Sequence, residues 1–424
     1  MNLTKEQQEI YDGKQGATLA KVMQTLVRYG ELFGADGMVP VTSKYNHLVT
    51  SFGLKALAPV YELMNQLIES GNVSKQKFSA DPRPLDPNVP SSFLQDFVFK
   101  NFMYSKQDDY EKQLTQLGIM EKDAYTCTCY MDEVGNTPAM GEVLSWSESS
   151  AVVYANSVLG ARCNRNSGII DLMGSVVGYV PRFGLLTDEG RKATWIVKIE
   201  TTKKPEAQLL GSAIGMKVMA DVPYIVGLDK WLGGELDDAA KTYLKDFGAA
   251  TASNGAVGLY HVENITPEAV KYGKDLIAED AKVYVVDDAE LQRVYESYPV
   301  IWKKKDAKPK LCFMGCPHMS LQQLIDWTEK VSQSLKEAGR ARVCIPTVFT
   351  AAPAVLKKFQ ETPYAETLKA TGVITSYICP LMYMNNPLSE KMPVITSSNK
   401  LRTYTSARYY TEILEQITKG GADR

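Results

Sequence analysis

Lys310-Leu311-Cys312-Phe313-Met314-Gly315-Cys316-Pro317-His318-Met319-Ser320 reads as a strand, a glycine turn and the entry to a helix. Ser320 is placed as the N-cap, Gln323 completes a capping box, and Leu321, Leu324, Ile325, Thr328 and Val331 share one face of the helix that follows. The same alternation extends in both directions. Trp195 to Ile199, Tyr224 to Leu228 and Val257 to Val262 read as strands upstream, with helices over Glu206 to Met216 and after Thr266-Pro267. Arg342 to Phe349 and Val373 to Ile378 read as strands downstream. Strand and helix in alternation predict parallel sheets covered on both faces, an α/β architecture whose ligands gather at the carboxyl ends of strands.

The first quarter has a different texture. Thr4 with Gln7 forms a capping-box pattern, Leu19, Met23, Leu26 and Val27 recur at helical spacing, and Pro59 and Gly71 bracket the stripe Val60, Leu63, Met64, Leu67, Ile68. Pro82, Pro84, Pro87 and Pro90 then exclude regular structure, so this stretch must wrap a surface or connect layers. Three segments are expected: residues 1–120 as a helical region with its Pro-rich connection, 121–300 as a first α/β domain and 301–424 as a second.

Composition narrows the function. Lys and Arg number 47 against 49 Asp and Glu, a net charge of −2, so neither nucleic acid nor an anionic membrane can be held mainly by field. Seven unevenly spaced cysteines fit reduced thiols in the cytoplasm better than a secreted disulfide framework, and three histidines argue against a multi-His metal site. No targeting peptide is expected at the N-terminus. The uncharged run from Ala370 to Ser389 is interrupted by Pro380, Asn385, Asn386 and Pro387, so no membrane span is expected.

Chemistry concentrates in a few places. Cys316 stands by the predicted helix start, where free N–H groups favour a thiolate; it reads as a nucleophile, a soft metal ligand or a small buried residue. Cys379-Pro380 ends a strand, and Thr126-Cys127-Thr128-Cys129-Tyr130 precedes the turn Gly135-Asn136-Thr137-Pro138. If these loops converge, three thiolates could hold an iron–sulfur cluster with one iron open as a Lewis acid. Cys163, Cys312 and Cys344 read as core or wall. In Trp146 to Arg165, Ser147 or Ser149 can cap a helix of small apolar residues that also carries Glu148, Asn156, Arg162 and Arg165, polar groups needing partners or a ligand. Arg162 and Arg165, on one face if the helix persists, suit a carboxylate or phosphate, or form a solvated helix end. His47 and His318 could move a proton or serve as hydrogen-bonded turn residues, and His261 reads as the latter. Thr396-Ser397-Ser398-Asn399-Lys400 is an anion loop or a turn.

These segments together resemble the aconitase X family, a branch of the aconitase superfamily, over nearly the whole chain. Leu3-Thr4 through Gly34-Ala35, Thr126-Cys127-Thr128, Glu148 to Arg165, Gly315-Cys316-Pro317-His318 and Thr396 to Lys400 carry the resemblance. It implies an aconitase-like three-layered α/β core behind the N-terminal helical region. It also implies an iron–sulfur cluster or mononuclear iron on Cys127, Cys316 and Cys379, and hydro-lyase activity. Known activities of the family are dehydration of cis-3-hydroxy-L-proline, the substrate expected first, and of 5-phosphomevalonate, the alternative. The implied catalytic residues are His318, Glu148 and His47, with Asn156, Ser157, Arg162, Arg165, Ser398 and Lys400 around the small hydroxy acid. Three departures stand out: Cys129 where the family has Pro, Cys163 where it has Thr, and His47 off the family's Ser-Ala-His pattern. Cys127 and Cys129 therefore both remain open as the first ligand. Because the family completes its site with a small swivelling domain and this sequence ends at Arg424, a separate small subunit is the expected partner. A non-catalytic iron-binding or scaffold subunit, and a metal-free enzyme using Cys316, are the rival readings.

Overall fold

The computed structural model of the chain describes residues 1–121 and 123–420, so residues 421–424 of the expected third segment lie outside it. Its centre is a five-stranded parallel sheet ordered Ile374–Ser376, Thr347–Ala351, Leu311–Met319, Val394–Thr396, Arg408–Tyr409. In the middle strand every residue but Gly315 is fully buried, which is why the quoted stretch lacks polar alternation. A second parallel sheet follows the order His261–Val262, Pro223–Val226, Ala193–Ile199, Ile277–Val286, and the helices Ala207–Val218 and Asp238–Asn254 pack together over it.

Gly315 does not end its strand. Its φ of +97° puts a kink there, and the register with the neighbouring strand slips between Phe349 and Ala351. The chain then continues extended to Met319, and only at Ser320 does the capped helix Leu321–Glu337 begin. A Cβ on Gly315 would collide with the carbonyl oxygen of Thr350, whose hydroxyl donates back to Gly315 O at 2.6 Å. We expect Gly315→Ala to cost about 2 kcal/mol or more, from left-handed strain plus the clash. Gly339→Ala, left-handed at φ +64° but with open space around it, should cost only the strain, about 1 kcal/mol. Equal shifts in the urea midpoints of the two variants would refute the clash.

The N-terminal region is less helical than expected. Helices Lys5–Tyr11, Ala17–Leu32 and Ala58–Glu69 form where the periodicity places them, the first with its Thr4–Gln7 capping box. Between them run Met38–Pro40, antiparallel to Tyr179–Pro181, and Tyr45–Leu48, parallel to Lys77–Ala80. These strands are three or four residues long and find partners far along the chain, with bridges to Trp146, Ile119 and Tyr125, so local periodicity does not reveal them. Near the C-terminus, Tyr409 belongs to an edge strand and the last helix is Ile413–Lys419.

The Pro-rich stretch connects layers. Its Arg83 carbonyl accepts from Cys379 N–H at 2.9 Å, Asp86 accepts from Ser376 Oγ at 2.7 Å, and the Pro90 carbonyl accepts from Tyr383 Oη at 2.6 Å. Val89 packs in one cluster with Phe313 and Tyr383. All seven cysteines are free, and no helix among the described residues is long and apolar enough to cross a membrane.

Candidate active site

Three remote segments meet at one cavity of about 270 Å³. Thr126 N–H donates to Ala80 O at 2.7 Å, continuing the small N-terminal sheet and bringing Cys127 to the wall. Cys316 arrives just past the Gly315 kink, and Cys379 caps the short helix Pro380–Met384 beyond the edge strand Ile374–Ser376. Cys127 Sγ accepts from the His318 backbone N–H at 3.4 Å. Cys129 is fully buried in the core of the second sheet and does not line the cavity, whereas Cys127 does. Cys163 is likewise in that core, whereas Cys344, expected in core or wall, is exposed.

Burial pushes the thiols of Cys127, Cys316 and Cys379 up, while the Lys400 ammonium pulls each the other way. Cys316 gains nothing from a helix N-terminus, because it lies inside the strand. No three Cys, His, Asp or Glu side chains among the described residues are grouped as a single metal ion requires. Three soft donors lining one cavity are instead the donor type an iron–sulfur cluster takes, since a cluster spreads its thiolates over several irons.

Glu148 is itself the N-cap of the helix Ser149–Ser157, in place of Ser147 or Ser149. It accepts from Ala151 N–H and Ser150 Oγ, both at 2.6 Å, and pairs with Lys400. Ser147 Oγ is used elsewhere, accepting from Val49 N–H at 2.8 Å. Burial pushes the Glu148 carboxyl up, but Lys400 and the cap donors outweigh it and hold it at about 2. Glu148 is therefore an anion with its acceptors taken. Thr396 to Lys400 forms no open anion loop: Ser398 caps the helix Asn399–Tyr404 and donates to Cys316 O, behind the cavity, while Lys400 lines it.

The helix stops at Ser157, so Arg162 and Arg165 do not share a helical face. Arg162 turns away to Asp188 and the Leu186 carbonyl, on a different cavity. Arg165 lines the cysteine cavity, and its Nη1 is buried with no hydrogen-bond partner. Asn156 and Ser157 do not line it either. Asn156 Nδ2 donates to Cys163 O and Gly258 O at 2.8 and 2.9 Å, and Ser157 Oγ accepts from Tyr260 N–H at 2.9 Å, so both hold the core together.

His318 lines the cavity with both ring nitrogens engaged. Nε2 donates to the Ile378 carbonyl at 3.0 Å, which leaves Nδ1 to accept from Thr126 Oγ1 at 3.0 Å. Burial lowers its pKa to about 4, so the ring is neutral and ties the Cys127 and Cys379 loops together instead of delivering a proton. His47 sits one layer behind, its Nδ1 2.9 Å from Ser79 Oγ and its Nε2 3.5 Å from Asp81 Oδ1. Burial opposes charging this ring, but Cys129 and Asp81 raise its pKa to about 10. The group that reaches the cavity here is Asp81, which sequence reasoning missed. Sequence alone carried no signal for it, because Asp81 follows the short strand Lys77–Ala80 at the carboxyl edge of a parallel pair that local periodicity does not reveal.

A parallel α/β core with thiols, an ion pair and an arginine around one cleft agrees with the site that the aconitase X resemblance implies. The aconitase X first-domain family matches residues 1–189 and the aconitase X second-domain family residues 193–296. The phosphomevalonate dehydratase large subunit of Thermococcus kodakarensis is 32% identical over 87% of this chain and 86% of its own length. That of Methanocaldococcus jannaschii is 28% identical over 99% and 100%. The cis-3-hydroxy-L-proline dehydratase of Hypocrea jecorina is 27% identical over 76% of this chain but 52% of its own. The crystal structure of Thermococcus kodakaraensis aconitase X in its holo-form superposes with a TM-score of 0.79 at 28% identity, covering 98% of this chain and 100% of that one. The chain belongs to the aconitase X family and is a hydro-lyase of that type.

Proposed function

We propose that this chain is the large subunit of a dehydratase that removes water from 5-phosphomevalonate, in place of the hydroxyproline expected first. Support comes from length as well as identity: the phosphomevalonate dehydratase large subunits correspond to this chain over most or all of their length, the fungal hydroxyproline dehydratase over about half of its own. The observation within the site that carries the reading is the unpartnered Nη1 of Arg165, a cation placed to receive the substrate's carboxylate.

Cys127, Cys316 and Cys379 would hold an iron–sulfur cluster, which when bound supplies Lewis acidity toward a leaving hydroxyl. The chain's own residues do the rest of the binding. Arg165 grips the carboxylate and stabilises the charge that develops beside it as the neighbouring carbon loses its proton. Val49, Phe52 and Leu381 exclude water along the apolar wall. The Glu148–Lys400 pair keeps one cation near the thiols while leaving the cavity nearly balanced in charge. Arg165 and Lys400 are the only Arg or Lys among the cavity's lining residues, and Lys400 is already paired. The phosphate therefore needs donors at the cavity mouth, and the small subunit is the source we propose for them and for the base.

The test is a panel of hydroxyprolines and 5-phosphomevalonate offered to the complex co-expressed with its small subunit under anaerobic conditions. Water loss from 5-phosphomevalonate is expected; turnover of cis-3-hydroxy-L-proline alone would overturn the assignment. In the same assay Arg165→Met should lower kcat/KM about a hundred-fold, the ~3 kcal/mol of a charge-assisted hydrogen bond. An Arg165→Met enzyme within three-fold of wild type would remove Arg165 from the substrate.

A further inference from the structure

Cys316 reaches the cavity from within the strand Leu311–Met319 and Lys400 from beyond the strand Val394–Thr396, yet one side chain from the other sheet's layer bonds to both segments. Gln208, buried on the helix Ala207–Val218, donates from Nε2 to Cys316 O at 3.3 Å. Its Oε1 accepts from Asn399 N–H at 2.6 Å, and its backbone carbonyl accepts from Asn399 Nδ2 at 3.0 Å. Ser398 adds a second donor to Cys316 O, and Lys400 follows Asn399 directly. The amide cannot be turned round: an N–H must face the Cys316 carbonyl, and an acceptor must face the Asn399 N–H. Only a side chain that donates at one end and accepts at the other, at this length, satisfies both loops; Glu lacks the donor, Asn the reach and Met both groups.

We infer that Gln208 is a positioning residue that sets Cys316 and Lys400 in register with each other across the seam between the two sheets, and thereby orients the iron centre's Cys316 ligand. The inference rests on the proposed role of Cys316 as a ligand. It adds that the site's geometry is fixed from a segment contributing no side chain to the cavity.

The experiment compares Gln208→Glu and Gln208→Met with wild type in the anaerobically reconstituted complex. Gln208→Glu keeps the acceptor for Asn399 but turns a donor into an acceptor against Cys316 O; Gln208→Met removes both bonds at similar volume. Iron per chain, the electron paramagnetic resonance spectrum of the reduced centre, kcat and KM, and the thermal midpoint are read together. The expected result is a shifted spectrum and a kcat lowered about ten-fold or more, with KM within two-fold, in both variants. Reduced iron retention should appear first in Gln208→Glu. A thermal midpoint lowered with spectrum and kcat unchanged would make Gln208 merely structural and overturn the inference. If one variant fails to fold, the other decides. Wild type that takes up no iron would defeat the proposed function itself, an outcome distinct from wild type and variants loading alike, which defeats Gln208 alone.

Discussion

Cys316→Ala is expected to leave a folded chain that neither retains iron after anaerobic reconstitution with iron and sulfide nor turns over 5-phosphomevalonate. The sulfur lies at the wall of an existing cavity, so its removal deletes few packing contacts, and we expect a stability loss of only about 1 kcal/mol. The functional loss should be complete, because two remaining thiols cannot replace the third corner of the site. Cys129→Ala supplies the contrast. Only two residues from Cys127, it is sealed in the core beside His47, so it should keep its iron and lose stability through packing and its interaction with His47, about 1–2 kcal/mol. Wild-type iron content and turnover in Cys316→Ala would end the three-thiol reading, and iron loss in Cys129→Ala would reopen the choice of first ligand.

The largest stability effect is expected at Glu268→Gln. Arg191 and Glu268 are almost fully buried and joined through two donors, Nε to Oε1 and Nη2 to Oε2, each at 2.8 Å. The same guanidinium donates to Asn156 Oδ1 at 3.0 Å and to Asn156 O at 3.1 Å, tying the end of the Glu148-capped helix to the helix Pro267–Tyr272. Neutralising the carboxylate leaves a buried cation without its counter-charge, which costs about 3–5 kcal/mol. Pairing it with Arg191→Met removes the stranded charge, so the double variant should be more stable than Glu268→Gln alone. Urea unfolding checks both; a Glu268→Gln loss under 1 kcal/mol would show that the pair is readily solvated.

Much of the scaffold was legible because its signals are local. The capping boxes at Thr4 and Ser320 and the stripe from Leu321 to Val331 depend on residues three or four apart, and each element forms where those spacings put it. Cys379 was found by a topological rule, since it follows a strand at the carboxyl edge of the parallel sheet, whereas Cys316 was singled out by an expected helix start that the structure replaces with strand interior. Arg162 and Arg165 were not separable, because their difference depends on where a helix stops, and it stops at Ser157 with Glu148 as its cap. His318 looked like a proton donor until both its nitrogens were seen to be occupied by groups remote in the chain, Thr126 and Ile378.

Sequence by itself determined the α/β class and the supply of thiols and arginines, because hydrophobic period, capping and composition are properties of neighbouring residues, and its motifs, such as Glu148 to Arg165, carried the resemblance to the family. Tertiary structure alone decided that Cys127 and not Cys129 faces the cleft, that Arg165 keeps a free nitrogen while Arg162 is paired with Asp188, and that Asp81 belongs to the site. The reason is that Cys127 lies at a bend and Cys129 in the turn that follows, so strand alternation does not set their directions, and which side becomes cavity or core is set by chain packed against it from hundreds of residues away.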